Sequence, residues 1–243
     1  MTTPTTAGLE LPTPGRWTAF GWFTFAYLIA AQAISFALSA PDRDMGDLQK
    51  ILYIHVPAAW NMGICYLLVA VYSFRYLAKR DERHDLIAAA AAEVGALLNG
   101  LTLVLGMIWG RPTWGVWWVW DARLTSELIL FFLYLGYIAL TSAIDDPRRS
   151  DRAGALVAIV GAVNVPIIYF SVKWWNTLHQ GASVSMTQSP SMAKTMLMGM
   201  LIMALAYWMM AIAMVLYRVR TLILWRERHA DWVRELPEVR KVA

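Results

Sequence analysis

Six stretches of the 243-residue chain are apolar almost without interruption: Trp17–Leu38, Ile51–Leu77, Leu86–Trp109, Ser126–Ile144, Ala153–Val172 and Ala193–Tyr217. About 20 apolar residues, rising about 1.5 Å each, cross a hydrocarbon core of about 30 Å. Each stretch therefore predicts a membrane-spanning helix, because a soluble core does not need uncharged runs of that length. Short charged turns (Ala78–Asp85, Asp145–Arg152) alternate with three longer connections, Ser39–Lys50, Gly110–Thr125 and Lys173–Met192. The expected fold is all-α and polytopic: one membrane domain over residues 1–243, with 218–243 as a mixed-charge, helix-like tail ended or bent near Pro237. There is no internal repeat and no low-complexity segment.

Composition supports the pattern. Hydrophobic residues are 58% of the chain and charged ones 16%, against roughly 25% charged in a soluble domain. Six spans put both termini on one side. That side carries fifteen of the 21 Lys and Arg residues, and the excess predicts cytoplasmic termini. The net charge of +4 thus expresses topology and implies no nucleic-acid partner. The first sixteen residues hold one basic residue and no cleavage pattern, so the first span is expected to stay as an anchor. The lone Cys65 falls inside the second span, and neither C-x-x-C-H nor a phosphate-binding P-loop occurs.

The chemistry gathers on the outer side. Eight of thirteen Trp residues lie there, five of them in Trp109-Gly-Arg-Pro-Thr-Trp-Gly-Val-Trp-Trp-Val-Trp-Asp121. An interfacial aromatic belt is one reading. A run this dense, punctuated by Gly110, Pro112 and Gly115, also suits a shaped surface for a large planar ligand, each indole adding a donor. Arg123 has two readings: a pair with Asp121, or, with Arg111, forked donors to ligand carboxylates.

Of four histidines, His84 and His229 fall in charged cytoplasmic segments. His55, in Tyr53-Ile-His-Val-Pro-Ala-Ala-Trp60, and His179, in Trp174-Trp-Asn-Thr-Leu-His-Gln-Gly181, fall at the outer level on either side of the Trp-rich segment. A single interfacial His is more often structural. Two at one level are candidates for axial ligation of haem iron. Glu93, Asn99, Glu127 and Asn164 inside the spans fit transport or interhelical hydrogen bonding equally. The methionines of the sixth span read as packing or lipid-facing residues.

The segment Trp114-Gly-Val-Trp-Trp-Val-Trp-Asp121 resembles the tryptophan-rich (WWD) signature WGxxWxWD of the CcmC/CcmF/CcsA haem-handling superfamily, and within it the CcmC (haem exporter protein C) family. Ala122-Arg-Leu-Thr-Ser-Glu-Leu128 and the two histidine segments are similar too. The resemblance implies a non-enzymatic haem-handling subunit of cytochrome c-type biogenesis in the bacterial inner membrane. It implies haem b held transiently at the periplasmic face, with His55 and His179 as axial ligands and Trp114, Gly115, Trp118, Trp120 and Asp121 as its cradle. It further implies partners: the periplasmic haem chaperone CcmE, the small membrane protein CcmD and the transporter CcmA/CcmB. A membrane haem oxidoreductase acting with quinone is the alternative from another class. It would place histidines mid-span, where this chain has none. Larger haem lyases of the superfamily need more spans and histidines, and a plain transporter would use the Trp run only as a belt.

Overall fold

The computed structural model describes residues 14–179, 181, 183–184, 189–234 and 236; Pro237 lies outside them. The described chain is helical: α1 (Pro14–Leu38), a 3-10 turn (Asp47–Ile51) leading into α2 (Leu52–Lys79), α3 (Glu82–Trp114), α4 (Ala122–Ala143), α5 (Pro147–Gly161), α6 (Asn164–Trp174), α7 (Lys194–Arg226) and a short α8 (Asp231–Arg234). Among the described residues the sole β pairing is an isolated bridge between Asp42 and Gly46. Six helical segments are long and apolar enough to cross a membrane, with α5 and α6 together forming the fifth.

The boundaries follow local chemistry. Asp81, Asp121 and Asp146 cap α3, α4 and α5, accepting from the amides of Arg83, Leu124 and Arg149 at 3.0, 2.8 and 2.7 Å. Pro147 occupies the first turn of α5, where its missing N–H costs nothing. The fifth span breaks at Ala162 and Val163 because Pro166 has no N–H for the Ala162 carbonyl. That carbonyl instead accepts from Val165 at 3.2 Å. Asn164 at the break donates to the Ser126 carbonyl at 2.8 Å.

Two helices run beyond the apolar stretches that predict them, α7 into the helix-like tail. The Gly110–Thr125 connection was expected to be irregular from its start. Instead α3 continues through Gly110 and Pro112 to Trp114. The Thr113 hydroxyl donates to the Trp109 carbonyl at 2.7 Å, which supports the turn that Pro112 weakens. The stop comes at Gly115, whose φ of 78° is left-handed. Likewise α7 passes Tyr217 and reaches Arg226. Both helices hold 33 residues, about 50 Å, so both project past the hydrocarbon.

α2 is the centre of the bundle and packs on α3, α5 and α7, while α1 lies along α7 and α4 bridges α3 to α5 and α6. The buried core draws on Tyr53, Met62, Tyr66, Leu98, Tyr134, Tyr137, Met200 and Met203. With lipid no less apolar than the core, close approach of small residues and interhelical hydrogen bonds drive association here. Tyr134 donates to the Met62 carbonyl at 2.6 Å, and its hydroxyl fills the space where a side chain on Gly95 would begin. Ser35 on Gly199 and Gly21 against Tyr217 fix α1 antiparallel to α7. The start of α1 and the end of α7 therefore share one end of the bundle. At that end Arg218 pairs with Glu93, and Arg226 pairs with Asp85 and Asp151.

Candidate functional site

The opposite end of the bundle holds a cavity of about 410 Å³. His55 and His179 both line it. His55 stands in the first turn of α2, so the helix start fixes its position. His179 comes from the connection after α6. Trp109 and Trp114 contribute from the last turns of α3, Glu127 from α4 and Met196 from the start of α7. Asp42 and Gln49 close the cavity from the connection after α1, and Ile51, Leu52, Val56 and Leu124 make much of the wall apolar.

Polar groups in this cavity are not all satisfied internally. Nδ1 of His55 is buried without a hydrogen bond of ordinary geometry; the Thr102 carbonyl is close enough to be felt by the ring but makes no such bond. Glu127, His179 and Arg123 are the charged or titratable groups that bear on His55. Glu127 is only 2% exposed. Its carboxylate accepts from Arg123 Nε at 2.7 Å, and Arg123 Nη1 donates to the Ile168 carbonyl at 2.8 Å. Asp42, outside the spans, accepts from the amides of Met45 and Asp44, which hold its carboxyl below the usual range. Gln49 donates to Ser39 Oγ, the acceptor also of the Tyr53 hydroxyl, at 3.0 and 2.9 Å.

The structure divides the Trp-rich segment. Trp109 and Trp114 meet edge to face, centroids 5.4 Å apart, on the cavity. Gly115, Trp118, Trp120 and Asp121 do not line it. Gly115 ends α3, and its carbonyl accepts from Arg111. Trp118 is half-buried against Trp120, its indole Nε1 unpartnered. Trp117 and Trp120 are 55% and 75% exposed, and Trp174 and Trp175 are exposed as well. Asp121 caps α4 and also accepts from the Leu178 amide at 3.2 Å. Arg123 pairs with Glu127 and not with Asp121.

Two cavity residues, Met196 and Gly106, were not singled out from sequence, and a third, Glu127, was read there only as a transport or interhelical hydrogen-bonding residue. Glu127 carried a signal, its i,i+4 spacing from Arg123, but the pair's burial was not visible. Met196 was one methionine among many. Gly106 lies one turn before Trp109 on α3, and a Cβ there would sit 3.4 Å from Cε1 of His55. Gly106→Val is therefore expected to push the His55 ring from its place. Nuclear magnetic resonance of the His55 ring protons should show a displaced imidazole with the fold intact; unchanged shifts would mean that the ring has room to yield. Of the other polar span residues, Glu93 is held by Arg218 through two bonds of 2.5 and 2.8 Å. Asn99 donates to the Glu127 carbonyl at 3.4 Å.

The chain is similar to known proteins over most of its length. The family profile described as heme exporter protein C matches residues 11–234. Heme exporter protein C of Escherichia coli K12 is 42% identical over 238 residues, covering 94% of each chain. That of Bradyrhizobium diazoefficiens is 43% identical over 225 residues, 90% of this chain and 86% of its own. That of Paracoccus denitrificans is 39% identical over 199 residues, 82% and 83% of the two chains.

Proposed function

This chain belongs to the heme exporter protein C family, and from that premise we propose that it binds haem at the periplasmic face of the inner membrane and passes it to the chaperone CcmE for c-type cytochrome assembly. The observation that carries the reading is the pair of histidines, remote in sequence, on the wall of one cavity. Two imidazoles are a common axial set for haem iron. The cavity volume lies within the roughly 300–1,000 Å³ of small-molecule sites, and its apolar wall with a few polar groups suits a planar ligand whose charge sits at one edge. Haem is cargo here, so its hold must be firm yet reversible.

The division of the tryptophans gives the handover a geometry. Trp114, with Trp109, would bear on the ligand, while the exposed Trp117 and Trp120 offer apolar, donor-bearing surface at the same end for a partner. The charge asymmetry of the connections supports a periplasmic histidine end. CcmD and the CcmA/CcmB transporter would act on the assembled complex.

The test is transfer. Protein purified with haem is mixed with CcmE, and covalent loading of the chaperone is followed. Trp114→Ala is expected to lower bound haem several-fold before any transfer. Trp120→Ala is expected to keep its haem but load the chaperone several-fold more slowly. Equal haem and equal transfer in both variants would refute the two-sided arrangement. Wild-type protein that never carries haem would refute the function.

A further inference from the structure

We propose that Asp121 is a positioning residue, joining the tryptophan segment to the connection after α6 and so presenting His179 to the cavity. The inference rests on the reading of His179 as an iron ligand. Asp121 is the last residue of the signature, and the family resemblance implies a place for it in the ligand cradle. The geometry points elsewhere. Both of its carboxylate oxygens are committed to backbone amides: Oδ1 accepts from Leu124 at 2.8 Å and Oδ2 from Leu178 at 3.2 Å. Leu178 lies 57 residues further along the chain, and the next residue is His179. Asp121 itself does not line the cavity, whereas His179 does.

The chemistry explains why an aspartate stands here. An N-cap needs one acceptor, and Ser, Thr, Asn or Asp supplies it about equally well. Joining a second segment needs another acceptor on the same short side chain, and only the carboxylate has two equivalent oxygens. The added bond is charge-assisted, hence stronger than a neutral one. It spans from the start of α4 to residues 175–179, which follow the end of α6. α6 ends at Trp174, and within the connection Thr177 bonds the His179 carbonyl at 3.2 Å. The cap bond makes the anchor rigid, since α4 is itself packed between α3 and α5. One residue thus couples the end of the Trp-rich segment to the second histidine.

Asp121→Asn separates the two bonds. Its carbonyl oxygen keeps the cap, but its amide nitrogen cannot accept from Leu178. In haem-free protein, hydrogen exchange across residues 175–179 is expected to rise about tenfold, the change for losing one bond to a charged group, while exchange at the start of α4 stays unchanged. In haem-loaded protein the bis-imidazole spectrum is expected to weaken and to return on adding free imidazole, as for His179→Gly. Unchanged exchange and spectrum in Asp121→Asn, with His179→Gly altered, would overturn the proposal and leave the ligand reading standing. Lost haem with unchanged exchange would also overturn it, since Asp121 would then contact the ligand. A normal spectrum in His179→Gly would overturn the ligand reading, and the positioning of an iron ligand with it.

Discussion

Replacing His55 or His179 with glycine is expected to lower haem retained per protein by about tenfold or more, the equivalent of roughly 1.4 kcal/mol. What haem remains should lose its low-spin, six-coordinate absorption. The two histidines reach the cavity from different elements, one from the first turn of α2 and one from the connection after α6. Each replacement therefore leaves the other imidazole in place. Added imidazole should enter the space left behind and restore the spectrum in either single variant. The variants should differ in one respect. His55 sits on a packed helix, with Gly106 close against its ring, and its loss opens a fixed hole. His179 is held through the bond from the Leu178 amide to Asp121 and not by a helix, so imidazole in its place is less confined and rescue should need more of it. Haem content and absorption spectra of the purified proteins check this. Wild-type spectra from both variants would remove the histidines from the site.

The sequence carried the fold well because a bilayer leaves few alternatives. Long apolar runs must be helices, and the six stretches marked by composition are the six long helical segments. The errors lie at ends. Gly110 and Pro112 read as a break, yet α3 runs past them to Gly115, where the backbone turns left-handed. A proline near the end of a helix weakens one turn and need not end the element. The like depth of His55 and His179 was legible from topology, and the structure gathers both on one cavity. The sorting of the tryptophans was not legible. Trp114 and Trp120 are alike in composition and motif, and only the helical continuation of α3 turns one inward and leaves the other 75% exposed. Asp121 was unreadable for a related reason, because its second partner is 57 residues away.

Arg226→Ala is expected to cost about 3–5 kcal/mol, the penalty for leaving buried charge without its partner. That is a large share of a total stability of roughly 5–15 kcal/mol. By sequence Arg226 belongs to a solvated mixed-charge tail. In the structure it is drawn inward by two carboxylates, Asp85 at 2.5 Å and Asp151 at 3.4 Å, each with only 7% of its side chain exposed. These three residues tie α3, α5 and α7 together at the end opposite the cavity. Removing the cation leaves two acids facing each other with no counter-charge. Removing all the charge is a different matter, because an apolar replacement of a buried ion cluster is often neutral or better. The triple variant Arg226→Met, Asp85→Asn, Asp151→Asn should therefore recover most of what Arg226→Ala loses. Thermal unfolding in detergent gives the comparison directly. A wild-type unfolding temperature for Arg226→Ala would show that the cluster contributes nothing. Haem bound per folded molecule should be the same in all three proteins, since the cluster and the histidines sit at opposite ends of the bundle. A loss of haem that tracked Arg226 while the fold held would instead mean that the two ends are coupled, as through α3 and α7, which carry Asp85 and Arg226 at one end and Trp114 and Met196 at the other.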